Sequence, residues 1–263
     1  MAVLNANPLR KRIQAGEFLL GTLLEIPSPA LVEIMGLSGF DFVVIDGEHG
    51  PLDLATTENL IRAAACAGIS PIVRVSENHP VLIRQPLDLG ATGVQVPQVD
   101  SLVSAQSVVR SAMFAPYGER GLQPFVRGAS YGSRKTAAFM ESANEDAVLV
   151  VHIEGESGAE DLERILTVDR IDVIFIGPYD LSQSLGVPGD VTHPLVEKRI
   201  DEIIRASLDA GRCVGIFCDS PETVAKWRGR GVRYAALGLD ALIFRNACQG
   251  LVNAVRGSSG SAQ

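Results

Sequence analysis

Eight short apolar runs punctuate the chain, and most are followed by a longer stretch of helical periodicity. The runs are Phe18–Leu24, Phe42–Ile45, Ile72–Val75, Gly93–Val96, Val148–Ile153, Val173–Ile176, Cys213–Phe217 and Tyr234–Leu237. They are apolar throughout rather than alternating, the pattern of parallel strands covered on both faces. Pro29–Gly36, Ala55–Ala67, Pro80–Leu89, Leu102–Met113, Ala159–Leu166, Val196–Ala210, Pro221–Arg230 and Ala241–Val255 read as helices. Ile200, Ile203, Ile204 and Leu208 recur on one face of such a helix, as do Leu54, Leu60, Ile61 and Ala64. Gly68, Gly90, Gly211 and Gly231 stand where a left-handed helix C-cap is needed.

Eight strands and eight helices in a chain of 263 residues predict an α/β fold. The expectation is one (β/α)8 TIM barrel over residues 1–256, with a disordered tail over 257–263. A doubly wound open sheet is the alternative. It usually opens with a glycine-rich phosphate loop, and neither G-x-G-x-x-G nor G-x-x-x-x-G-K-[ST] occurs here. Two irregular stretches, Ala115–Gly132 and Gly177–Val191, are long enough to carry function.

A net charge of −8 disfavours nucleic acid and anionic membrane as partners. No apolar run has the ~18 residues of a membrane span, and the first residues carry no apolar signal-peptide core. The four cysteines form no C-x-x-C pair. They read as buried apolar side chains in a reducing compartment, so a soluble cytoplasmic protein is expected.

In a barrel of this kind chemistry sits at the C-terminal ends of the strands. Strand two ends in Asp46, Glu48 and His49; strand three supplies Arg74; strand four supplies Gln95 and Gln98. Strand five ends in His152 and Glu154, and Asp180, Asp219 and Asp240 follow the last three strands. Glu154 and Asp180 leave adjacent strands and suit a hard divalent cation, or else cap the helices that follow. Arg74, inside an apolar strand, needs a ligand or an internal salt bridge. His49 is either an acid–base group, with Asp46 and Glu48 holding its tautomer, or a structural histidine. Lys11, Lys135, Lys198 and Lys226 all fall outside the strands, so no lysine is available for Schiff-base chemistry.

The motifs D-G-E-H-G-P, P-I-V-R-V, L-D-x-G-A-x-G-V-x-V-P-x-V, P-Y-G-E-R-G, I-E-x-x-x-G and D-x-I-F-I-G-P-x-D-L-S occur in that order. Over roughly residues 18–250 the chain resembles the HpcH/HpaI family of class II, pyruvate-dependent aldolases. That family includes 2-keto-3-deoxy sugar-acid aldolases, 4-hydroxy-2-oxoheptanedioate aldolases and macrophomate synthase. The resemblance implies a barrel of the phosphoenolpyruvate/pyruvate type. It implies a divalent metal, Mg²⁺ or Mn²⁺ with Co²⁺ or Zn²⁺ as alternatives, held by Glu154 and Asp180. It assigns Arg74 to the enolate oxygen, His49 to proton transfer and Asp88 to partnering that histidine. The backbone of Gly177, Pro178, Tyr179 and Asp180 would receive the pyruvate carboxylate.

The implied reaction joins pyruvate to an aldehyde, or cleaves a 4-hydroxy-2-oxo acid, through a pyruvate enolate. Alternatives on the same site are oxaloacetate decarboxylation, as in macrophomate synthase, and acyl-CoA lysis. The family also implies a homohexamer, a trimer of dimers, with the last helix exchanged between subunits. One departure stands out: many bacterial members carry Gln-x-Glu at the fifth strand, and this chain has His152-Ile153-Glu154. His152 is therefore a third metal ligand or a substitute for the glutamine's hydrogen bond near the substrate. Tyr179 narrows the pocket, and the 115–132 loop is expected to shape the acceptor site.

Overall fold

The computed structural model describes residues 9–257. Eight parallel strands close in sequence order into a barrel: β1 (Leu19–Leu24), β2 (Phe42–Asp46), β3 (Ser70–Arg74), β4 (Gly93–Val96), β5 (Val148–Ile153), β6 (Val173–Ile176), β7 (Cys213–Cys218) and β8 (Tyr234–Leu239). The TIM barrel is as expected, and each strand lies within two residues of its predicted bounds. β3 begins earlier because Ser70 and Pro71 pair with Phe42 and Val43. A proline near the start of a strand costs little of the ladder.

Helices on the outside return the chain: α2 (Pro29–Leu37), α3 (Leu54–Ala67), α4 (Pro80–Asp88), α5 (Leu102–Ala112), α10 (Pro194–Asp209) and α11 (Pro221–Arg228) match prediction within two residues. The predicted 159–166 helix is two pieces, α7 (Glu156–Glu160) and α8 (Leu162–Ile165), broken at Asp161. That carboxylate is drawn off to accept from the Leu102 amide at 2.7 Å and to pair with Arg164 at 2.9 Å. Three helices were not predicted: α1 (Leu9–Gln14), α6 (Thr136–Asp146) and α9 (Pro178–Ser184). The last, α12 (Asp240–Gly257), includes Gly257; the rest of the expected tail, 258–263, lies outside the described residues.

The uniform apolarity of the strands conceals two cores. Period-two alternation sends one set of side chains to the barrel interior and the other to the helices. Leu19, Phe42, Val44, Ile72, Val148, Val150, Phe175 and Tyr234 fill the interior, and α1 adds Leu9 and Ile13. Phe42 and Tyr234 stack with ring centroids 3.9 Å apart, and Phe42 lies so close to Gly21 that a Cβ there would meet its ring at 2.2 Å. The outward set packs on the helices, as Leu149, Val151 and Ile153 do on Val108, Ile165 and Leu181. On α10 the buried face is Val196, Ile200, Ile203, Ile204 and Ser207, whereas Leu208 is 39% exposed. Gly68, Gly90, Gly211 and Gly231 all have positive φ, as their positions after helices require.

Two cysteine expectations are corrected. Cys218 is buried and Cys213 partly so, but Cys66 on α3 and Cys248 on α12 are exposed.

Candidate active site

The same alternation explains why polar side chains gather at one mouth. Asp46 follows Val44 and Phe42, Arg74 follows Ile72, and His152 follows Val150 and Val148, each in the inward parity. Register then aligns them: Asp46 is opposite Arg74, and Arg74 is opposite Gln95. The topmost interior layer is therefore polar, and all four residues are buried.

Arg74 makes the internal salt bridge that its place in an apolar strand calls for. Its Nε and Nη2 bond Asp46 Oδ1 and Oδ2 at 2.9 and 2.5 Å, and Nη1 meets Glu48 Oε2 at 3.0 Å. A guanidinium has five N–H groups. Three are spent on this bidentate clamp and ion pair, which leaves two for a ligand. Asp46 Oδ1 also accepts the amides of Glu48 and His49 at 3.0 and 3.3 Å, and so builds the turn that carries the histidine. Burial alone would raise the Asp46 carboxyl; the Arg74 bonds and charge, with those two amides, outweigh it and hold it below its ordinary value. Burial pushes Glu48 the other way, upward, against the pull of Arg74. Asp46 and Glu48 thus hold Arg74 and the turn, and Glu48 Oε2 also lies 4.0 Å from His49 Nε2.

Glu154 is 7% exposed. Its Oε1 accepts from the Gln98 amide at 2.7 Å and its Oε2 faces His152 Nδ1 at 2.8 Å. Burial works against its charge, but the His152 charge and hydrogen bond, the Gln98 amide and Arg74 together keep its carboxyl below the ordinary value. The Gln98 amide is delivered by a left-handed residue, φ 53°. Gly177 leaves room for this carboxylate: a Cβ there would meet Glu154 Oε2 at 2.7 Å.

A cavity of about 330 Å³ opens at this mouth. Of the predicted residues it is lined by His49, Arg74, Gln95, His152, Glu154, Gly177, Pro178, Tyr179, Asp180 and Asp219. Asp180 is exposed on the first turn of α9. Leu23, Phe175, Phe217, Leu239 and Leu242 form its apolar wall. Tyr179 narrows it by donating its hydroxyl hydrogen across the mouth to Asp219, with Oδ1 at 3.1 Å. Sequence reading missed Glu25, which lines the same cavity one residue past β1; the strand-end rule applied to that strand would have found it.

Two expectations do not meet at this mouth. Asp88 ends α4, and a helix after a parallel strand runs back toward the start of the barrel. Its carboxylate pairs there with Arg120 at 2.7 Å, so this chain does not bring it to its own His49. The 115–132 loop joins α5 to a short 3₁₀ turn before α6, again at the strands' N-terminal end. It therefore does not shape the acceptor site of its own barrel, contrary to expectation. His79 and His193 cap α4 and α10 through Nδ1.

Glu154 and Asp180 are hard oxygen donors, and each Glu154 oxygen keeps a lone pair beyond its one hydrogen bond. Among the described residues no three His, Cys, Asp or Glu side chains form a closed metal site. A cation here would be held by two carboxylates and completed by water and substrate, a fit for a hard divalent ion.

The model of the HpcH/HpaI aldolase/citrate lyase family matches residues 20–247. The chain belongs to that family. It is a lyase of the class II aldolase kind. A 2-keto-3-deoxy-L-rhamnonate aldolase of Escherichia coli (strain K12) is 34% identical over 248 residues, covering 94% of this chain and 92% of the relative. A family member from Burkholderia cenocepacia J2315 superposes with a TM-score of 0.91 at 32% identity, covering 95% of this chain and 100% of that one. The citrate synthase SbnG superposes at 0.86, also at 32% identity, covering 95% and 98%. Proteins similar to this chain thus carry more than one reaction name.

Proposed function

We propose that this lyase cleaves and forms 4-hydroxy-2-oxo acids from pyruvate and an aldehyde, with Glu154 and Asp180 holding a divalent cation. The observation that carries this reading is a buried carboxylate, Glu154, held by the Gln98 amide and His152 in one cavity with Arg74, His49 and Asp180. Mg²⁺ or Mn²⁺ suits two carboxylates best. When bound, the cation supplies Lewis-acid polarisation of a carbonyl.

The chain's own residues do the rest. Arg74, clamped by Asp46 and Glu48, directs its two free N–H groups at the oxygen where enolate charge develops, and no reorganisation is needed when the charge appears. The backbone at the start of α9, from Gly177 to Asp180, receives the pyruvate carboxylate. His49 reaches into the mouth and moves the proton at the aldehyde or hydroxyl oxygen. Asp88 can partner His49 only from a neighbouring subunit, because it lies at the far end of its own barrel.

The assembly proposed is a hexamer, a trimer of dimers that exchange α12. On that helix Phe244, Leu251 and Val255 are 65%, 72% and 72% exposed, and only Asp240 is buried. An apolar stripe of that kind favours a neighbouring surface.

The test is direct: purified protein, pyruvate and lactaldehyde or succinic semialdehyde, with and without Mn²⁺. Metal-dependent formation of the adduct is expected. No adduct with any aldehyde, and no cleavage of one, would remove the proposal. Oxaloacetate decarboxylation without an aldehyde would favour the alternative activity.

A further inference from the structure

His152, the departure from the resemblance noted in the sequence, lies in surroundings that give it a role. The imidazole is 2% exposed and stacks on Phe175, ring centroids 4.7 Å apart. Both ring nitrogens are engaged within the protein. Nδ1 is 2.8 Å from Glu154 Oε2, and Nε2 is 2.5 Å from Gln95 Nε2. A ring with both nitrogens occupied is not a third metal ligand.

The hydrogen-bond directions follow from the carboxylate. Glu154 offers only lone pairs, so Nδ1 must carry a hydrogen and donate it. Nε2 faces the side-chain amide of Gln95, which holds the other edge of the ring. Gln95 Oε1 points away from the ring and is buried with no partner, while Gln95 lines the cavity. Gln95, His152 and Glu154 form one chain of contacts that ends on the carboxylate.

We infer that His152 is a positioning residue for Glu154: held by Gln95 and Phe175, it fixes the rotamer in which that carboxylate meets the cation. This rests on the metal-site reading above. Outer hydrogen bonds to metal ligands are typically worth about 10- to 100-fold in affinity. Gln98 secures only the other oxygen, so without His152 the carboxylate can swing about its last bond.

Two substitutions separate positioning from packing. His152→Asn places an amide N–H near the position of Nδ1 but leaves a void against Phe175. His152→Phe keeps the stack but has no donor. The probe is Mn²⁺ alone, titrated calorimetrically into metal-free protein, with thermal unfolding measured alongside and Glu154→Gln as the reference for a lost ligand. The expected order is tight binding by wild type and His152→Asn, and binding about 10- to 100-fold weaker in His152→Phe. His152→Phe should nonetheless be the more heat-stable of the two variants. If His152→Phe binds Mn²⁺ as wild type does, or His152→Asn binds as weakly as His152→Phe, positioning is overturned. If wild type and Glu154→Gln bind equally, the metal site itself is wrong and the inference falls with it.

Discussion

Removing the cation from the Arg74–Asp46 clamp should cost more stability than any other single truncation at the mouth. Asp46 is 0% exposed and Arg74 8%, and they share bonds of 2.9 and 2.5 Å. Breaking a buried pair by deleting one member typically costs about 3–5 kcal/mol, because the other charge is stranded. In Arg74→Met the Asp46 carboxylate keeps the amides of Glu48 and His49. That partial solvation points to the lower end, about 3 kcal/mol, or roughly 6–12 °C in Tm for a chain of this size. Asp46→Asn leaves Arg74 its Glu48 partner at 3.0 Å and should cost less, about 1–2 kcal/mol. Arg74→Met/Asp46→Leu should recover much of the loss, since a packed apolar pair often matches a buried ion pair. Urea unfolding at one fixed protomer concentration reads this through Trp227, the single tryptophan, which is 3% exposed. A loss below about 1 kcal/mol in Arg74→Met, or a double variant weaker than Arg74→Met, would refute the clamp. The single variant should also lose most activity, because the two free N–H groups go with it.

Gly177→Ala should fold but push on Glu154, whose Oε2 would lie 2.7 Å from the new Cβ; overpacking of this kind costs about 1–3 kcal/mol, and calorimetry should show weakened Mn²⁺ binding. Acid should expose the Asp46 contribution. Its native carboxyl is held below the ordinary 3.8, so its stabilisation is complete above that value and lost as pH falls through the lower native one. The advantage of wild type over Asp46→Asn should therefore shrink in urea titrations as pH drops below about 4 and stay level from about pH 5 to 7. Thiol labelling at pH 8 should modify Cys66 and leave Cys213 and Cys218 untouched until the protein unfolds, because burial pushes both thiols up to about 12; rapid labelling of Cys218 in the native state would contradict its placement.

The barrel was legible because its signals are local. Apolar runs, helix faces and glycine caps each depend on neighbours a few residues away, and they located all eight strands. His49, Arg74, Glu154 and Asp180 were legible for a related reason: each lies at or just past a strand end, and the fold sends strand ends to one mouth. What stayed hidden depends on register and direction. That Asp46 clamps Arg74 requires knowing that the two are paired across adjacent strands. That Asp88 and the 115–132 loop lie away from their own mouth requires following α4 and α5 back down the barrel. Ser207 replaced Leu208 on the buried face of α10 because a helix face is set by the surface it meets, not by apolarity alone. The His152 departure was visible in sequence, but its two partners, Gln95 and Glu154, appear only when β4 and β5 are side by side.

The proposed function turns on one step, a cation-dependent enolisation of pyruvate that needs Glu154. Exchange of the pyruvate methyl protons in D₂O, followed by NMR with Mg²⁺ and no aldehyde, isolates that step from any acceptor. Wild type should show exchange that stops with a chelator and returns when Mg²⁺ is restored, and Glu154→Gln should show none. Exchange that persists in the chelator, or at the wild-type rate in Glu154→Gln, would contradict it.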